Sequence, residues 1–151
     1  MQQEAAAPIV TLQSSRLVAR PRGSLDEAGL AALRTALERI DGSLGPAVTC
    51  LIDLREVGRF ELTAGKLLLE IHRAFFGRRR RTAYLADRAH LRGLTNWVVH
   101  ESGDPNARTV MSDSEAQSWL LGSQERISDA KQRTQAALSA ITAIQDARRK
   151  A

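Results

Sequence analysis

The stretch VTCLIDLREVGRFELTAGKLLLEIHRAFF, residues 48–76, decides the fold of this chain. Its first part, residues 48–54, is almost entirely apolar and β-prone, which is typical of a strand covered on both faces in a parallel sheet. A turn follows, and from about Thr63 to Phe76 apolar residues recur every three or four positions, as on one side of a helix. The stretch therefore predicts a strand–turn–helix unit of an α/β domain.

Further strands and helices are predicted on both sides of that unit. Residues 8–20 alternate weakly in hydrophobicity around a turn at Ser14-Ser15, which predicts a β-hairpin. Residues 82–86 and 109–111 predict two short strands with a helix between them. The element order is β-hairpin, α, β, α, β, α, β, α. Because strands joined by helices run parallel, we expect a mixed, mostly parallel sheet with an N-terminal hairpin edge and packing helices.

Two helix starts carry the spacing of a capping box. Ser24 with Glu27 precedes a helix with an apolar stripe, and Ser112 with Glu115 precedes the last helix of the domain. In such a box the hydroxyl and the carboxylate each accept a hydrogen bond from a free backbone N–H group. Both serines are therefore expected to begin helices.

The predicted organisation has three parts. Residues 1–7 are expected to be disordered, residues 8–122 form the α/β domain, and residues 123–151 form a C-terminal helical extension after a break at Gly122-Ser123. The extension lacks glycine and proline and carries an apolar stripe at three-four spacing: Ile127, Ala130, Thr134, Ala137, Ile141 and Ile144. Such a stripe fits a helix docked on its own domain and equally a helix that self-associates or binds a partner.

The charge balance leaves two interpretations. The net charge is +5, and only three of the 22 basic residues are lysines, a composition that GC-rich coding also produces. The densest feature, Arg78, Arg79, Arg80 and Arg81, is either a solvated loop or an anion-binding site for phosphate, a lipid headgroup or an acidic partner. No aromatic residue interleaves with this run, so we expect no specific nucleic-acid binding. Peripheral lipid contact is the less favoured option.

The chain offers no recognisable metal or cofactor chemistry. Its single cysteine, Cys50, lies in an apolar run and is expected to be a buried thiol. None of the three histidines pairs at the spacing of a metal motif, and His72 is expected to be partly exposed on its helix. No apolar run approaches the roughly 20 residues that span a bilayer. We therefore predict a cytoplasmic protein without a cofactor.

Two acidic residues end predicted strands. Asp53 and Asp87 would both lie at the carboxyl edge of a parallel sheet, where α/β proteins bind ligands. They could act as an acid–base pair or simply cap loops. No nucleophile motif, P-loop or dinucleotide-binding loop accompanies them, so no catalytic residue and no enzymatic activity are predicted.

The segments LIDLREVGRFELTAGKLLLE, residues 51–70, and ARTVMSDSEAQSWL, residues 107–120, resemble the STAS superfamily. That superfamily includes anti-sigma factor antagonists and cytoplasmic domains of sulfate transporters. The resemblance covers roughly residues 10–121 and is closer to the bacterial STAS-like branch related to lipid-binding Sec14 domains. It implies a non-catalytic regulatory domain that acts by contact with another protein.

The resemblance also implies a phosphorylation site. Superfamily members that switch partners are phosphorylated on a serine or threonine within an Asp-Ser-Ser/Thr-Gly pattern, whereas this chain reads Glu61-Leu62-Thr63-Ala64. Thr63 is therefore a candidate phosphosite, although a threonine there is equally a simple helix cap. The predicted partner surface comprises Arg59, Glu61, Thr63 and Lys66.

One alternative function stays open. The domain could bind a small apolar or anionic, lipid-like ligand between its sheet and its helices, with residues 78–81 near the headgroup. A cavity beneath the helix of residues 67–76 would favour that alternative, and a filled core would favour the interaction domain.

Overall fold

The chain begins with the predicted hairpin. The computed structural model describes residues 7–149, apart from the side chains of 123–133 and 149. Strands β1 (Ile9–Gln13) and β2 (Arg16–Arg20) pair antiparallel. Ser14 adopts φ 55° in the turn between them. A short strand β3 (Gly23–Leu25) and helix α1 (Glu27–Asp41) follow.

The central unit matches the prediction for residues 48–76 and adds two features. Strand β4 (Thr49–Asp53) is followed by a second short strand, β5 (Val57–Phe60), before helix α2 (Ala64–Ile71). Helix α2 continues as a π-helical turn over His72–Phe76, in which the Gly77 N–H donates to the His72 carbonyl at 2.7 Å. π-Helical turns are rare, and many of those that occur lie at functional sites.

The rest of the domain alternates strands and helices. Strand β6 (Arg81–Leu85), helix α3 (Ala89–Ser102) and strand β7 (Ala107–Val110) lead into helix α4 (Asp113–Arg149). The main sheet has the order β1-β2-β4-β6-β7, with β2, β4, β6 and β7 parallel to one another. The predicted mixed, mostly parallel α/β fold with a hairpin edge is therefore confirmed.

The sheet is covered unequally on its two faces. Helices α1, α2 and α3 pack on one face, where Leu33, Ile52 and Leu68 belong to one large buried cluster. The first turns of α4 cover part of the other face. There Ala116 and Leu120 belong to a second, smaller buried cluster with five strand residues: Val18, Leu51, Ala83, Leu85 and Val110. The hydrophobic core thus positions the beginning of α2 at the carboxyl edge of the sheet.

One predicted capping box forms and the other does not. The Glu115 N–H donates to Ser112 Oγ at 3.2 Å, and the Glu115 carboxylate accepts from the Met111 N–H at 3.0 Å. The prediction for Ser24 is wrong, because this residue lies in β3, which pairs parallel with β5. Helix α1 is capped instead by Asp26, whose carboxylate accepts from the Gly29 N–H at 2.7 Å.

The C-terminal region differs from the prediction in one respect. The expected helix break at Gly122-Ser123 is wrong, because α4 continues through both residues to Arg149. The chain divides into two compact units between Leu120 and Leu121. Across residues 7–149, no helix has the length and apolar character that a membrane span requires. The predicted disorder of residues 1–7 lies almost wholly outside the described residues.

Candidate functional site: the N-terminal end of helix α2

Helix α2 begins without the side-chain cap that its sequence predicts. Thr63 precedes the first helical residue with φ −78° and ψ −13°, and its side chain makes no capping hydrogen bond. The residue is exposed, and so is Leu62 before it, whose side chain is entirely in solvent. The predicted role of Thr63 as a helix cap is therefore wrong, and its hydroxyl faces water beside an exposed apolar residue.

An open groove lies between this helix start and α3. Its volume is about 540 Å³, and its lining is mostly apolar. We call it the α2–α3 groove and define it by its lining residues: Phe60, Leu62, Gly65, Lys66, His90, Gly93, Leu94 and Trp97. Of the predicted partner-binding residues, only Lys66 lines this groove.

The wall of the groove at the carboxyl edge is built by β5 and the beginning of α3. The rings of Phe60 and His90 stack with their centroids 6.0 Å apart. His90 Nε2 lies 3.2 Å from the Gly58 carbonyl, and Arg88 donates to the Val57 carbonyl. These contacts hold the β4–α2 connection against the β6–α3 connection, so the wall is a fixed feature of the domain.

The floor of the groove depends on a glycine. A Cβ atom at Gly65 would lie 3.1 and 3.2 Å from two ring carbons of Trp97, so only a residue without a side chain lets the indole lie this close to α2. Trp97 remains 42% exposed. On the facing helix, a Cβ atom at Gly93 would meet nothing within 4 Å. Gly65 thus lets Trp97 pack against α2 as the floor of the groove, and Gly93 leaves the α3 side of the groove unfilled.

The other predicted partner-binding residues surround the helix start. Arg59 is exposed in β5, and its Nε lies 3.4 Å from Ser24 Oγ. Glu61 is exposed, and its N–H donates to the Leu25 carbonyl at 3.0 Å. The predicted partner surface stays a prediction, and it did not include the groove residues Phe60, His90 and Trp97. The two helix-interior glycines were the available signal, because such glycines mark a close approach or a missing side chain.

The π-helical end of α2 is buried around a polar cluster. His72 Nδ1 lies 2.6 Å from the Tyr84 hydroxyl, and Nε2 lies 2.9 Å from an Asp104 carboxylate oxygen. His72 is 1% exposed, so the prediction of a partly exposed histidine is wrong. Burial lowers the pKa of His72, and the Asp104 carboxylate only partly opposes this. Burial also raises the pKa of Tyr84 well above its usual value.

When His72 and Tyr84 are neutral, every polar side-chain group of the cluster has a hydrogen-bond partner. The Tyr84 hydroxyl then donates to Nδ1, and the Nε2–H group donates to Asp104, which also accepts from the Asn106 N–H at 2.9 Å. Among the described residues no buried side-chain nitrogen or oxygen lacks a partner. The cluster therefore fastens the π-helical end of α2 to β6 and to the α3–β7 loop.

The two strand-ending acids interact with different arginines. Asp53 accepts from the backbone N–H, Nε and Nη2 of Arg55 at 2.8–3.0 Å, and Arg20 lies 3.5 Å away. Burial favours the neutral acid, but these cations and hydrogen bonds outweigh it and hold the pKa of Asp53 below its usual range. Arg55 also binds Asp113 at 2.9 and 3.1 Å. Asp87 is exposed and interacts with Arg88 instead, at 3.9 Å.

Two of the four consecutive arginines, Arg79 and Arg81, bind different parts of the domain. The Arg79 guanidinium is buried and donates to the carbonyls of Leu44, Gly45 and Phe75 and to the Asp41 carboxylate. The guanidinium of Arg81 lies 4.2 Å from the Trp119 ring centre, on the opposite face of the sheet, and donates to the Trp119 carbonyl. Arg78 is exposed. The sequence run is therefore mainly structural at Arg79 and Arg81.

Metal and thiol chemistry find no support in the described part of the chain. No group of three or more histidine, cysteine or acidic side chains that could hold a metal ion occurs there. Cys50 is buried, as predicted. Burial raises the pKa of its thiol to about 12, against the opposing charge of Arg79, so the thiolate is scarce at neutral pH.

Comparison with known sequences identifies no relative: no family model matches, and no curated protein matches. Comparison with solved structures does find neighbours. A Shewanella loihica PV-4 protein of the DUF3478 family, described as having a SpoIIAA-like fold, superimposes with a TM-score of 0.59 at 18% identity. The match covers 80% of this chain and 98% of that chain.

Two further neighbours carry a functional description. The Bacillus cell fate determinant SpoIIAA, in its phosphorylated form, gives a TM-score of 0.52 at 18% identity over 73% of this chain and 96% of that chain. An anti-sigma factor antagonist from Mycobacterium paratuberculosis gives 0.51 at 16% identity over 75% and 92%. The comparisons thus confirm the fold that the resemblance implied: this chain has a SpoIIAA-like fold.

Proposed function

We propose that this domain is a non-catalytic regulatory module that binds another protein through the exposed N-terminal end of α2 and the adjoining α2–α3 groove. The observation that carries the proposal is the fully exposed side chain of Leu62 at the mouth of a mostly apolar groove. An apolar side chain in solvent beside such a groove is typical of a contact that a partner completes. A cytoplasmic location and the absence of catalysis are parts of this proposal.

The neighbours support the same class of function. Two of them are an anti-sigma factor antagonist and a SpoIIAA protein, and such regulators share this fold. The saturated state of Asp53 also fits a domain that binds without catalysis, because its carboxylate is already engaged by Arg55 and Arg20. Arg59, Glu61 and Lys66 supply an exposed polar rim of mixed charge around the groove mouth.

We further propose that phosphorylation of Thr63 controls this contact. The Thr63 hydroxyl is exposed and has no capping hydrogen bond, so it is accessible to a kinase. A phosphate there would meet the positive end of the helix dipole and the nearby Lys66 side chain. Because Leu62 and Thr63 are adjacent, two negative charges at Thr63 would also disfavour burial of Leu62 against an apolar partner surface.

The test is affinity capture from extracts of the native cell with three versions of the full chain. Leu62→Asp should lose a protein that the wild type retains. Met111→Asp is the matched control, since Met111 is another exposed apolar residue, 52% exposed, outside the groove. Both substitutions should change the free energy of unfolding by less than about 0.5 kcal/mol, as exposed positions usually do. An identical set of captured proteins for all three chains would overturn the proposed surface.

The identified partner then allows a quantitative test of Thr63. Thr63→Glu should weaken binding by at least about fivefold, roughly 1 kcal/mol, whereas Thr63→Val should leave the dissociation constant within about twofold. Isothermal titration calorimetry measures both values. Equal affinity for Thr63→Glu and wild type would exclude control by charge at this position.

A second candidate function is the binding of a single-chain amphiphile in the same groove. The space beneath α2 is filled by Leu68, Ile71 and Phe75, which are buried, so the expected cavity under that helix is not where a ligand would lie. The α2–α3 groove instead offers about 540 Å³ with Lys66 at its rim for an anionic headgroup. Residues 78–81 do not line it.

Laurate is a suitable probe for this candidate. Trp97 lies in the groove, so bound laurate should change its fluorescence, and Trp97→Phe should abolish the change. Gly93→Leu should block binding by filling the groove from α3, where a side chain at this position starts in open space. A fluorescence response that survives in both variants would place the laurate elsewhere on the protein.

A further inference from the structure

The second half of α4 has an unusual composition for a helix in solvent. Residues 134–145, TQAALSAITAIQ, contain no charged residue. Every residue from 134 to 148 is nevertheless exposed. An exposed helix normally carries charged side chains on its solvated face, so this segment has the composition of a helix that is covered in its working state.

The apolar side chains of this segment share one side of the helix. Leu138, Ile141 and Ile144 are 59%, 52% and 56% exposed. At 100° per residue they form one stripe with Thr134 and Ala137. Ser139 lies opposite this stripe, and Gln135 and Thr142 lie between Ser139 and the stripe, whereas Gln145 lies on the stripe beside Leu138 and Ile141. This segment therefore presents one narrow, mainly apolar stripe of the kind that a second helix covers.

We infer that this stripe binds the same stripe of a second copy of the chain, with the two helices antiparallel and their two-fold axis at the level of Ser139. In this register Ile141 of each copy faces Ala137 of the other, and Ile144 faces Thr134. Each layer thus pairs one large side chain with one small one. The inference deepens the proposed function by naming a second copy as one of its protein partners, but it uses residues outside the α2–α3 groove.

Side-chain size favours the antiparallel arrangement over the parallel one. Two parallel helices in register would place Ala137 against Ala137 and Ile141 against Ile141. That pairing leaves the Ala137 layer underfilled, whereas the antiparallel register fills each layer with one large and one small side chain. The small stripe residues Thr134 and Ala137 come first along the helix and the isoleucines come last, so a reversed second helix places each isoleucine opposite a small residue.

Charge favours the same arrangement. Arg148 continues the stripe one turn beyond Ile144 and is exposed. Parallel helices would bring the two Arg148 side chains together, and like charges in contact are destabilising. In the antiparallel register the two Arg148 positions lie 18 residues apart along the axis, which is about 27 Å at 1.5 Å per residue. The cations are then separated and stay in water.

The first test is the mass of the full chain by sedimentation equilibrium. We expect twice the chain mass of 16.6 kDa for the wild type. Ile141→Asp should raise the dimer dissociation constant by about 100-fold or more, because it places a carboxylate without a partner in the apolar layer. Ser139→Asp is the matched control on the opposite side of the helix and should stay dimeric. Circular dichroism checks that both variants remain folded.

The second test uses introduced cysteines to determine direction. Cys50 is buried with its thiol pKa raised to about 12, so it does not compete in disulfide formation at neutral pH. Thr134→Cys and Ile144→Cys should cross-link with each other when mixed, and neither should cross-link with itself. Identical positions lie 10 residues apart in the antiparallel register, about 15 Å at 1.5 Å per residue.

Several results would overturn the inference. A wild type that sediments as a monomer at about 100 μM, 100 times a dissociation constant of about 1 μM, would exclude this interface. An Ile141→Asp variant that stays dimeric would also exclude it. Self-cross-linking of either cysteine variant, without the mixed product, excludes the antiparallel direction. Loss of laurate binding or partner capture by Leu62→Asp would leave this result unaffected, so the two proposals fail independently.

Discussion

The two ends of helix α2 are built in opposite ways. At the π-helical end, Phe75 and Phe76 are buried, and His72 has a partner at each ring nitrogen. At the N-terminal end, Leu62 is fully exposed and Thr63 makes no capping hydrogen bond. The helix is therefore anchored at one end and presented at the other. Mutations at the anchored end should change stability, and those at the presented end should change binding.

The largest effect is expected where α2 meets the core. Leu68 is fully buried, so Leu68→Ala should lower the free energy of unfolding by about 2–5 kcal/mol through lost apolar burial and a new cavity. Urea denaturation followed by circular dichroism measures the loss. A loss below about 1 kcal/mol would mean that α2 is not anchored as described.

A second, pH-dependent effect is expected from His72. In the folded protein, burial lowers the pKa of His72 from its usual 6.5. The unfolded chain therefore binds a proton at this residue more readily than the folded chain does. Protonation therefore favours the unfolded chain, and the stability that the neutral form contributes is lost as the pH falls from 7 towards the folded pKa. Denaturation curves at pH 7.0, 6.0 and 5.5 should show stability decreasing in that order.

His72→Phe separates this effect from other titrations. The variant should be less stable than wild type at pH 7 by about 1–3 kcal/mol, because Asp104 and Tyr84 lose a buried hydrogen-bond partner. Its stability should also vary less between pH 7.0 and 5.5 than that of the wild type. Parallel curves for the two proteins would show that His72 does not titrate differently on folding.

The smallest effects are expected at the two glycines of the groove. Gly93→Ala adds a methyl group in open space within an exposed helix and should stabilise the domain by about 0.5–1 kcal/mol. Gly65→Ala gains the same helix propensity but pushes against the Trp97 ring, so it should be less favourable and should shift Trp97 fluorescence. Equal stability changes and unchanged fluorescence would mean that Trp97 does not pack on α2 in solution.

Much of the fold could be predicted from residue patterns. The apolar run of residues 48–54 and the weak alternation of residues 8–20 were sufficient for the sheet, because strand burial imposes these patterns directly. The Ser112–Glu115 spacing also predicted its helix start correctly. Ser24 has the same spacing, but a parallel pairing with β5 holds it in extended backbone, and Asp26 takes the capping role. Local spacing cannot reveal a pairing with a strand over 30 residues away.

The buried polar cluster could not be predicted from local patterns. His72 follows Leu68 by four residues and therefore continues the buried side of α2, but a histidine alone is more often exposed. The additional signal was Tyr84 in a buried strand, since a buried phenol needs a hydrogen-bond partner. Only the tertiary arrangement brings Asp104 from a distant loop to complete the set.

Sequence patterns indicated the segment at the start of α2 but not the groove beside it. Arg59, Glu61, Thr63 and Lys66 surround the helix start as expected, whereas the aromatic side of the groove comes from Phe60, His90 and Trp97. Periodicity placed Trp97 on the apolar side of its helix, as a core residue, and gave no signal for Phe60 or His90. A groove between two helices depends on how the helices pack, which a single stripe does not specify.

The hydrogen bonds of Arg79 limit which residues can replace it during evolution. At most exposed positions arginine and lysine can replace each other with little effect on the fold. At position 79 one flat guanidinium bridges three carbonyls and a carboxylate contributed by separate segments. A lysine has a single nitrogen and cannot span such a set, so codon changes tolerated elsewhere would loosen the junction between α1 and the end of the π turn.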